Sequence, residues 1–359
     1  MCQFSRPALT RWLTSRFGQL VGSNLSTPER SPEKCLLQLT VISDNIPIHS
    51  QVIGQDQELS EMGDIMASAE SIKPALEEAL ASAVAVAESP HGPGLLAQAY
   101  QHAVFPGGAR IRPQLTLAVA KACGHDDPAL AMATAVALEL LHCGSLVHDD
   151  LPCFDNSPTR RGQPSVHAKF GERIAVLTGD GLIVLAFQTL ANVTARQPQR
   201  LAAVMSVIAQ ATGSPDGIVA GQAWECESKA NLRDYQRAKT GALFGAATAC
   251  GALASGSAAE AWRPLGEWLG EAYQVADDIR DVIGDPDALG KPTGQDLAND
   301  RQSSARSLGL FGAIQNFDLL VGKAIRAIPS CPGAPYLRAL VLSESERLVP
   351  RDALERVQA

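Results

Sequence analysis

The sequence predicts an all-α protein, and three observations carry that prediction. Alanine and leucine dominate a chain that is 46% hydrophobic. Aromatic residues make up only 5%, which removes the β-branched and aromatic mixture that sheets favour. From about residue 70 onward, apolar residues recur at helical spacing in segments separated by glycine and proline breaks.

The elements follow in order. SIKPALEEALASAVAVAES and LLAQAYQHAVF read as helices, broken at Gly107 and Gly108. ARIRPQLTLAVAKACG is a helix ending at Gly124, a natural left-handed stop. DDPALAMATAVALELLHCGSLVHDD opens on an aspartate cap with proline in the first turn. Further helices are expected over Leu182 to Ala191, Arg200 to Ala211, Arg233 to Gly251 and Pro264 to Ile283. No short repeat, low-complexity tract or strand pair stands out. Residues 66–359 are therefore expected to form one large helical bundle around a central cavity.

Residues 1–65 read differently. Arg6, Arg11 and Arg16 punctuate RPALTRWLTSRFGQL, which has the Arg-rich, acid-poor look of a transit peptide but lacks the apolar core of a secretory signal. The favoured expectation is a loosely ordered N-terminal extension, or a start placed too far upstream, since Met62 and Met66 precede the first good helix.

Composition excludes several functions. A net charge of −8 argues against a nucleic-acid binder, which needs a basic footprint to displace counterions from phosphates. The 8 cysteines include no CxxC pair, so neither a zinc site nor a disulfide framework is indicated and a reducing cytoplasm is the simpler setting. Ile174 to Val193 is apolar and about long enough to span a membrane, but Asp180 and two glycines lie in its middle. A buried helix of a large bundle explains it better, and no membrane span is expected.

The chemistry is announced by LVHDDLPCFD, Leu146 to Asp155. Paired carboxylates at a helix C-terminus face the negative end of the macrodipole and need a cation to compensate them. Asp149, Ser145, His142, Leu141 and Leu138 share one helical face, which descends from the carboxylates into an apolar channel. Asp155 would point elsewhere in an unbroken helix, but Pro152 can interrupt the ladder and bring it back toward Asp149. In YQVADDIRDVIGD, Asp277 and Asp281 are four residues apart on one face, where like charges repel, with Tyr273 and Gln274 one turn earlier. Two such clusters of oxygen ligands suggest magnesium, which favours a few carboxylates plus phosphates and waters. Fixed cations beside glycines could meet those phosphates: Arg110, Arg112, Arg160, Arg161, Lys239 and Lys291.

In this order, GGARIRP, LVHDDLPCFDNSPTRRGQPSVHAKFGE, LTGDGL, GQAWECE, AKTGALF, YQVADDIRDVIGD and LGKPTGQDLAND resemble the trans-polyprenyl diphosphate synthase family over roughly residues 70 to 335. Within it, the chain is most like the bacterial geranylgeranyl diphosphate synthases of carotenoid and bacteriochlorophyll pathways. The resemblance implies an all-α isoprenoid-synthase fold, a homodimer, and magnesium, about three ions per active site. It implies that Asp149, Asp155 and Asp277 hold the metal, with Asp281 in support. It further implies that Arg160, Lys239, Thr240, Gln274 and Lys291 hold the allylic diphosphate, and that Arg112, His142 and Arg161 hold isopentenyl diphosphate. Many relatives read GGKRxRP where this chain has Ala109, so Arg110 is expected to stand in for the missing lysine.

Family members that stop at fifteen carbons carry an aromatic four or five residues before the first aspartate, where this chain has Ser145 and Gly144. An open floor implies a twenty-carbon product, with Leu141 and Leu138 as a deeper floor. The alternatives are a farnesyl diphosphate synthase, a terpene cyclase, whose second metal motif carries Asn and Ser, and a non-catalytic subunit of a heteromeric synthase, a class that usually loses an aspartate motif.

Overall fold

The computed structural model describes residues 72–89, 91–105, 107–227, 231–283 and 304–349, and helices account for most of them. Helix α1 covers residues 72–85, followed by α2 (Gly94–Val104), α3 (Ile111–Ala122) and α4 (Pro128–Asp149). After a two-stranded hairpin come α5 (Val166–Phe170), α6 (Glu172–Ala191), α7 (Pro198–Thr212) and α8 (Ile218–Trp224). Helix α9 (Leu232–Gln236) runs through a π-helical turn at Arg237–Gly241 into α10 (Ala242–Ala254). The last described helices are α11 (Ala259–Ile283), α12 (Ser304–Arg326) and α13 (Ala334–Leu348).

Helix α4 is the centre of the bundle because almost every side chain on it is apolar or small. It packs on α3, α6 and α10, and Leu130, Leu138, Leu140 and Leu141 are each 1% exposed or less. Its start is built as the sequence predicts. Asp127 accepts the Leu130 N–H at 3.1 Å with Pro128 in the first turn, and its other carboxylate oxygen accepts the Arg196 N–H at 2.7 Å. Gly124, with φ of +99°, closes the turn after α3. Helix α11 lies against α10 and α12, and its C-terminal half carries the second aspartate cluster.

Two expectations are corrected. A strand pair does exist: β1 (Thr159–Arg160) pairs antiparallel with β2 (Gln163–Pro164) through a two-residue loop. Arg161 and Gly162 have φ of +54° and +75°, the doubly left-handed signature of a tight hairpin turn. Helix α6 is not buried all round. One face packs on α2, α4 and α5, while Val176, Leu177 and Val184 are 42–64% exposed. By length and composition alone, α4, α6 and residues 307–326 are apolar enough to cross a membrane. Lys291 and the LGKPTGQDLAND segment lie outside the described residues.

Candidate active site

The first aspartate cluster sits where α4 runs out. After Asp150 the chain turns through Pro152 and folds back, so that the Asp155 N–H donates to the Asp149 carbonyl at 3.0 Å. The Ser157 N–H likewise returns to the Asp150 carbonyl at 3.2 Å. The sequence expectation that Asp155 turns back toward Asp149 is met by this turn.

A third carboxylate joins them from a different part of the chain. Asp149, Asp155 and Glu225 each offer an oxygen, and these atoms lie within 4.8 Å of one another. Glu225 stands just after α8, and Gly221 allows the approach: a Cβ there would come 2.4 Å from the Lys239 backbone. Helix α8 therefore packs directly on the π-helical turn, and Lys239 Nζ donates to Glu225 Oε1 at 2.6 Å and Asp149 Oδ1 at 3.0 Å. Tyr235 Oη and Gln222 Nε2 also donate to Glu225, at 2.7 and 3.2 Å. Burial by itself would lower the Lys239 pKa, but Asp149, Tyr235 and Glu225 together raise it, so the side chain stays charged.

Asp149, Asp155, Gln222, Tyr235 and Lys239 line one cavity of about 570 Å³. Its walls include Asp149 and Asp155 on one side and, from α11, Asp277, Asp278 and Asp281. Asp277 pairs with Arg280, one turn along the same helix. Thr240 Oγ1 donates to Gln274 Oε1 at 3.0 Å, and Gln274 Nε2 donates to Asp278 Oδ1 at 3.1 Å, linking the π-helical turn to α11. A wide π turn commonly marks a functional position in a helix, and here it carries both Lys239 and Thr240 into the cavity.

The hairpin turn sends Arg160 and Arg161 to different partners. Arg160 Nε donates to Asp150 Oδ1 and Oδ2 at 3.0 and 3.2 Å, and its Nη2 also bonds Oδ1. Burial pushes the Asp150 carboxyl above its ordinary range, and Arg160 offsets this only in part. Arg161 packs against Gly108, where a Cβ would meet its guanidinium at 3.2 Å. Arg112 lies with its guanidinium 4.3 Å over the Phe244 ring. His142 is held well below the ordinary histidine pKa, first by burial and then by Arg112, Arg161, Arg160 and Arg110. It is neutral at pH 7.

The described metal and diphosphate residues singled out from the sequence, and Ser145, all line this cavity, while Lys291 is not described; two of the expectations need correction. Arg110 cannot stand in for a lysine at position 109, because its fully buried guanidinium is spent elsewhere. It bonds Glu77 at 2.9 Å, Glu139 at 2.7 Å and the Val104 carbonyl at 2.9 Å. Gly144 does not face the cavity. A Cβ there would lie 3.1 Å from the Gly179 carbonyl and 3.4 Å from Leu182 Cβ, in the contact between α4 and α6. Ser145 and Leu146 do line the cavity, whereas Leu141 and Leu138 are sealed in the core. Residues missed from the sequence are Glu225, Tyr235 and Asp278. GQAWECE announced the first, as an acid directly after an apolar helix in a glycine-containing motif.

The donors fit a hard divalent cation. They are all carboxylate oxygens, and three of them converge within 4.8 Å of one another.

An all-helical bundle whose carboxylates and fixed cations converge on one cavity defines a class of diphosphate-handling enzyme. The chain belongs to the polyprenyl synthetase family, which it matches over residues 93–310. It is 52% identical to the geranylgeranyl diphosphate synthase of Cereibacter sphaeroides, covering 79% of this chain and 98% of the relative. Identity to the Rhodobacter capsulatus geranylgeranyl diphosphate synthase is 49%, over 76% of this chain and 94% of the relative. Among solved structures, a Helicobacter pylori geranyltransferase complexed with magnesium and isoprenyl diphosphate is similar, with a TM-score of 0.64 and 32% identity, covering 72% and 89% of the two chains.

Proposed function

We propose that this protein is a magnesium-dependent prenyltransferase that condenses isopentenyl diphosphate with allylic diphosphates and makes geranylgeranyl diphosphate. The observation that carries the reading is the convergence of Asp149, Asp155, Glu225 and Lys239 at a cavity that Asp277 and Asp281 also line. The names of relatives about half identical over most of the chain support the same product.

In this reading Asp149, Asp155 and Glu225, with Asp277 and Asp281, hold magnesium, about three ions. Magnesium held there would neutralise charge on the leaving diphosphate. Lys239, Thr240, Gln274 and Arg160 orient the allylic diphosphate so that its carbon–oxygen bond breaks toward the carboxylate side. Arg112, Arg161 and neutral His142 hold isopentenyl diphosphate with its double bond toward the allylic carbon. The new carbon–carbon bond forms as one proton leaves, taken by the departing diphosphate. Ser145 and Leu146 begin an apolar wall that keeps water from the allylic cation.

The exposed apolar face of α6, carrying Val176, Leu177 and Val184, supports a homodimer with that face covered by a second copy. The described cysteines are all free thiols, which supports a cytoplasmic setting. The test is incubation of purified protein with isopentenyl diphosphate, each allylic primer and magnesium, followed by chromatography of the dephosphorylated products. A twenty-carbon alcohol is expected. A fifteen-carbon alcohol would replace the product assignment, and no condensation by the protein alone would overturn the enzyme reading.

A further inference from the structure

Arg160 and Arg161, the two arginines assigned to the diphosphates, sit on a short hairpin that the bundle does not back firmly. Its strands pair over only two residues each, Thr159 with Pro164 and Arg160 with Gln163. A small cavity of about 30 Å³ lies between the hairpin and α4, lined by Ala103, Cys143, Val147, Arg160 and Gln163, so close packing does not fix the ladder there. One tie runs from Arg160 to the Asp150 carboxylate, through a side chain that a diphosphate would compete for.

A second tie uses the backbone of the outer strand and neither arginine. His102, in the last turn of α2, places Nε2 at 2.8 Å from the Pro164 carbonyl oxygen. Lys169, on α5, places Nζ at 3.2 Å from Nδ1 of the same ring. A carbonyl only accepts and an ammonium only donates, so the two contacts together require the tautomer with its hydrogen on Nε2 and a lone pair on Nδ1. The ring stands edge-on to Phe170 with centroids 5.5 Å apart. Helix α2 is itself seated on α4, α5 and α6, with Ala99, Tyr100 and Val104 buried, so His102 offers the hairpin a fixed anchor.

We infer that His102 is a positioning residue for the diphosphate-binding arginines: its bond to the Pro164 carbonyl holds the hairpin so that Arg160 and Arg161 face the cavity, and Lys169 acts through it by keeping the required tautomer. This rests on the prenyl-transfer reading above for the identity of the substrates. Arg160 and Arg161 line the large cavity whereas His102 does not, so the histidine works through the hairpin and not on a substrate. Its bond goes to a backbone oxygen, and it persists while Arg160 engages a diphosphate.

The test uses the full chain with His102→Phe, His102→Gln and Lys169→Met. Phenylalanine keeps a ring against Phe170 but cannot donate to Pro164, whereas the glutamine amide can donate from the place of Nε2. His102→Phe should raise KM for both diphosphate substrates about three- to tenfold, the worth of one hydrogen bond, and His102→Gln should recover most of that loss. Lys169→Met should give a smaller rise, and no further rise when added to His102→Phe, because the lysine acts through the histidine. Unchanged KM values in His102→Phe, with or without a fall in melting temperature, overturn the proposal, as does a glutamine variant no better than the phenylalanine one. Hydrogen exchange separates this from the parent reading, because it needs no turnover. Amides of residues 157–165, among them Ser165, whose N–H donates to the Pro158 carbonyl at 3.0 Å, should exchange faster in His102→Phe while those of α4 do not. That result supports the anchor even if the wild-type protein makes no product, and equal exchange overturns it.

Discussion

The Asp155 N–H donates to the Asp149 carbonyl at 3.0 Å, so a backbone hydrogen bond holds together two aspartates six residues apart. A side-chain change at Asp155 should therefore leave the turn in place. Asp155→Asn is expected to lower kcat/KM about 100-fold or more with little change in thermal stability. A comparable fall in melting temperature would show that the carboxylate serves the fold instead.

Glu225 has two possible tasks, charge partner of Lys239 and metal ligand, and one substitution separates them. Glu225→Gln should raise the magnesium concentration needed for half-maximal activity about 10- to 100-fold. If the residue only steadies Lys239, the magnesium requirement will not move.

Ser145 and Gly144 are neighbours in sequence with opposite surroundings. Ser145→Phe should place a ring in the cavity and shorten the product, read by chromatography of the dephosphorylated alcohols. Gly144→Phe should instead force α4 away from Gly179 and Leu182 and cost about 3 kcal/mol or more of stability. A stable Gly144→Phe protein with a shortened product would contradict the packing seen here.

Arg110 holds Glu139 at 2.7 Å in a fully buried pair. Arg110→Ala strands that carboxylate and should cost about 3–5 kcal/mol in denaturant unfolding. Any protein that still folds should retain its KM for isopentenyl diphosphate, since the guanidinium is spent inside the protein.

His142 carries a pH signature. Its folded pKa is depressed, so below the ordinary value near 6.5 the unfolded chain binds the extra proton and the folded chain does not. The stability it contributes is present above that pH and is lost as pH falls toward the folded value. The denaturation midpoint should drop between about pH 7 and 5.5, and His142→Gln should flatten that drop. An identical pH profile in the variant would exclude His142 as the cause.

Much of this was legible along the chain because it is local. Asp127 before Pro128 is read as a helix start, Gly124 as a stop, and Pro152 as the device that turns Asp155 back, each from covalent geometry and hydrogen bonding within a few residues. The hairpin at Arg161 and Gly162 escaped because a two-residue ladder carries no periodicity. Its left-handed turn is favoured by glycine at only one of its two central positions.

What the sequence determined by itself was the all-helical class, the two aspartate clusters and most of the cations around them, since these follow from apolar spacing and from charge placed where a helix end disfavours it. Only the tertiary structure decided which way side chains of equal chemistry point. It brought Glu225 to Asp149 across a glycine contact, buried Arg110 against two glutamates and turned Gly144 toward α6. Those outcomes depend on contacts between residues far apart in the chain, and such contacts exist only once the helices have packed.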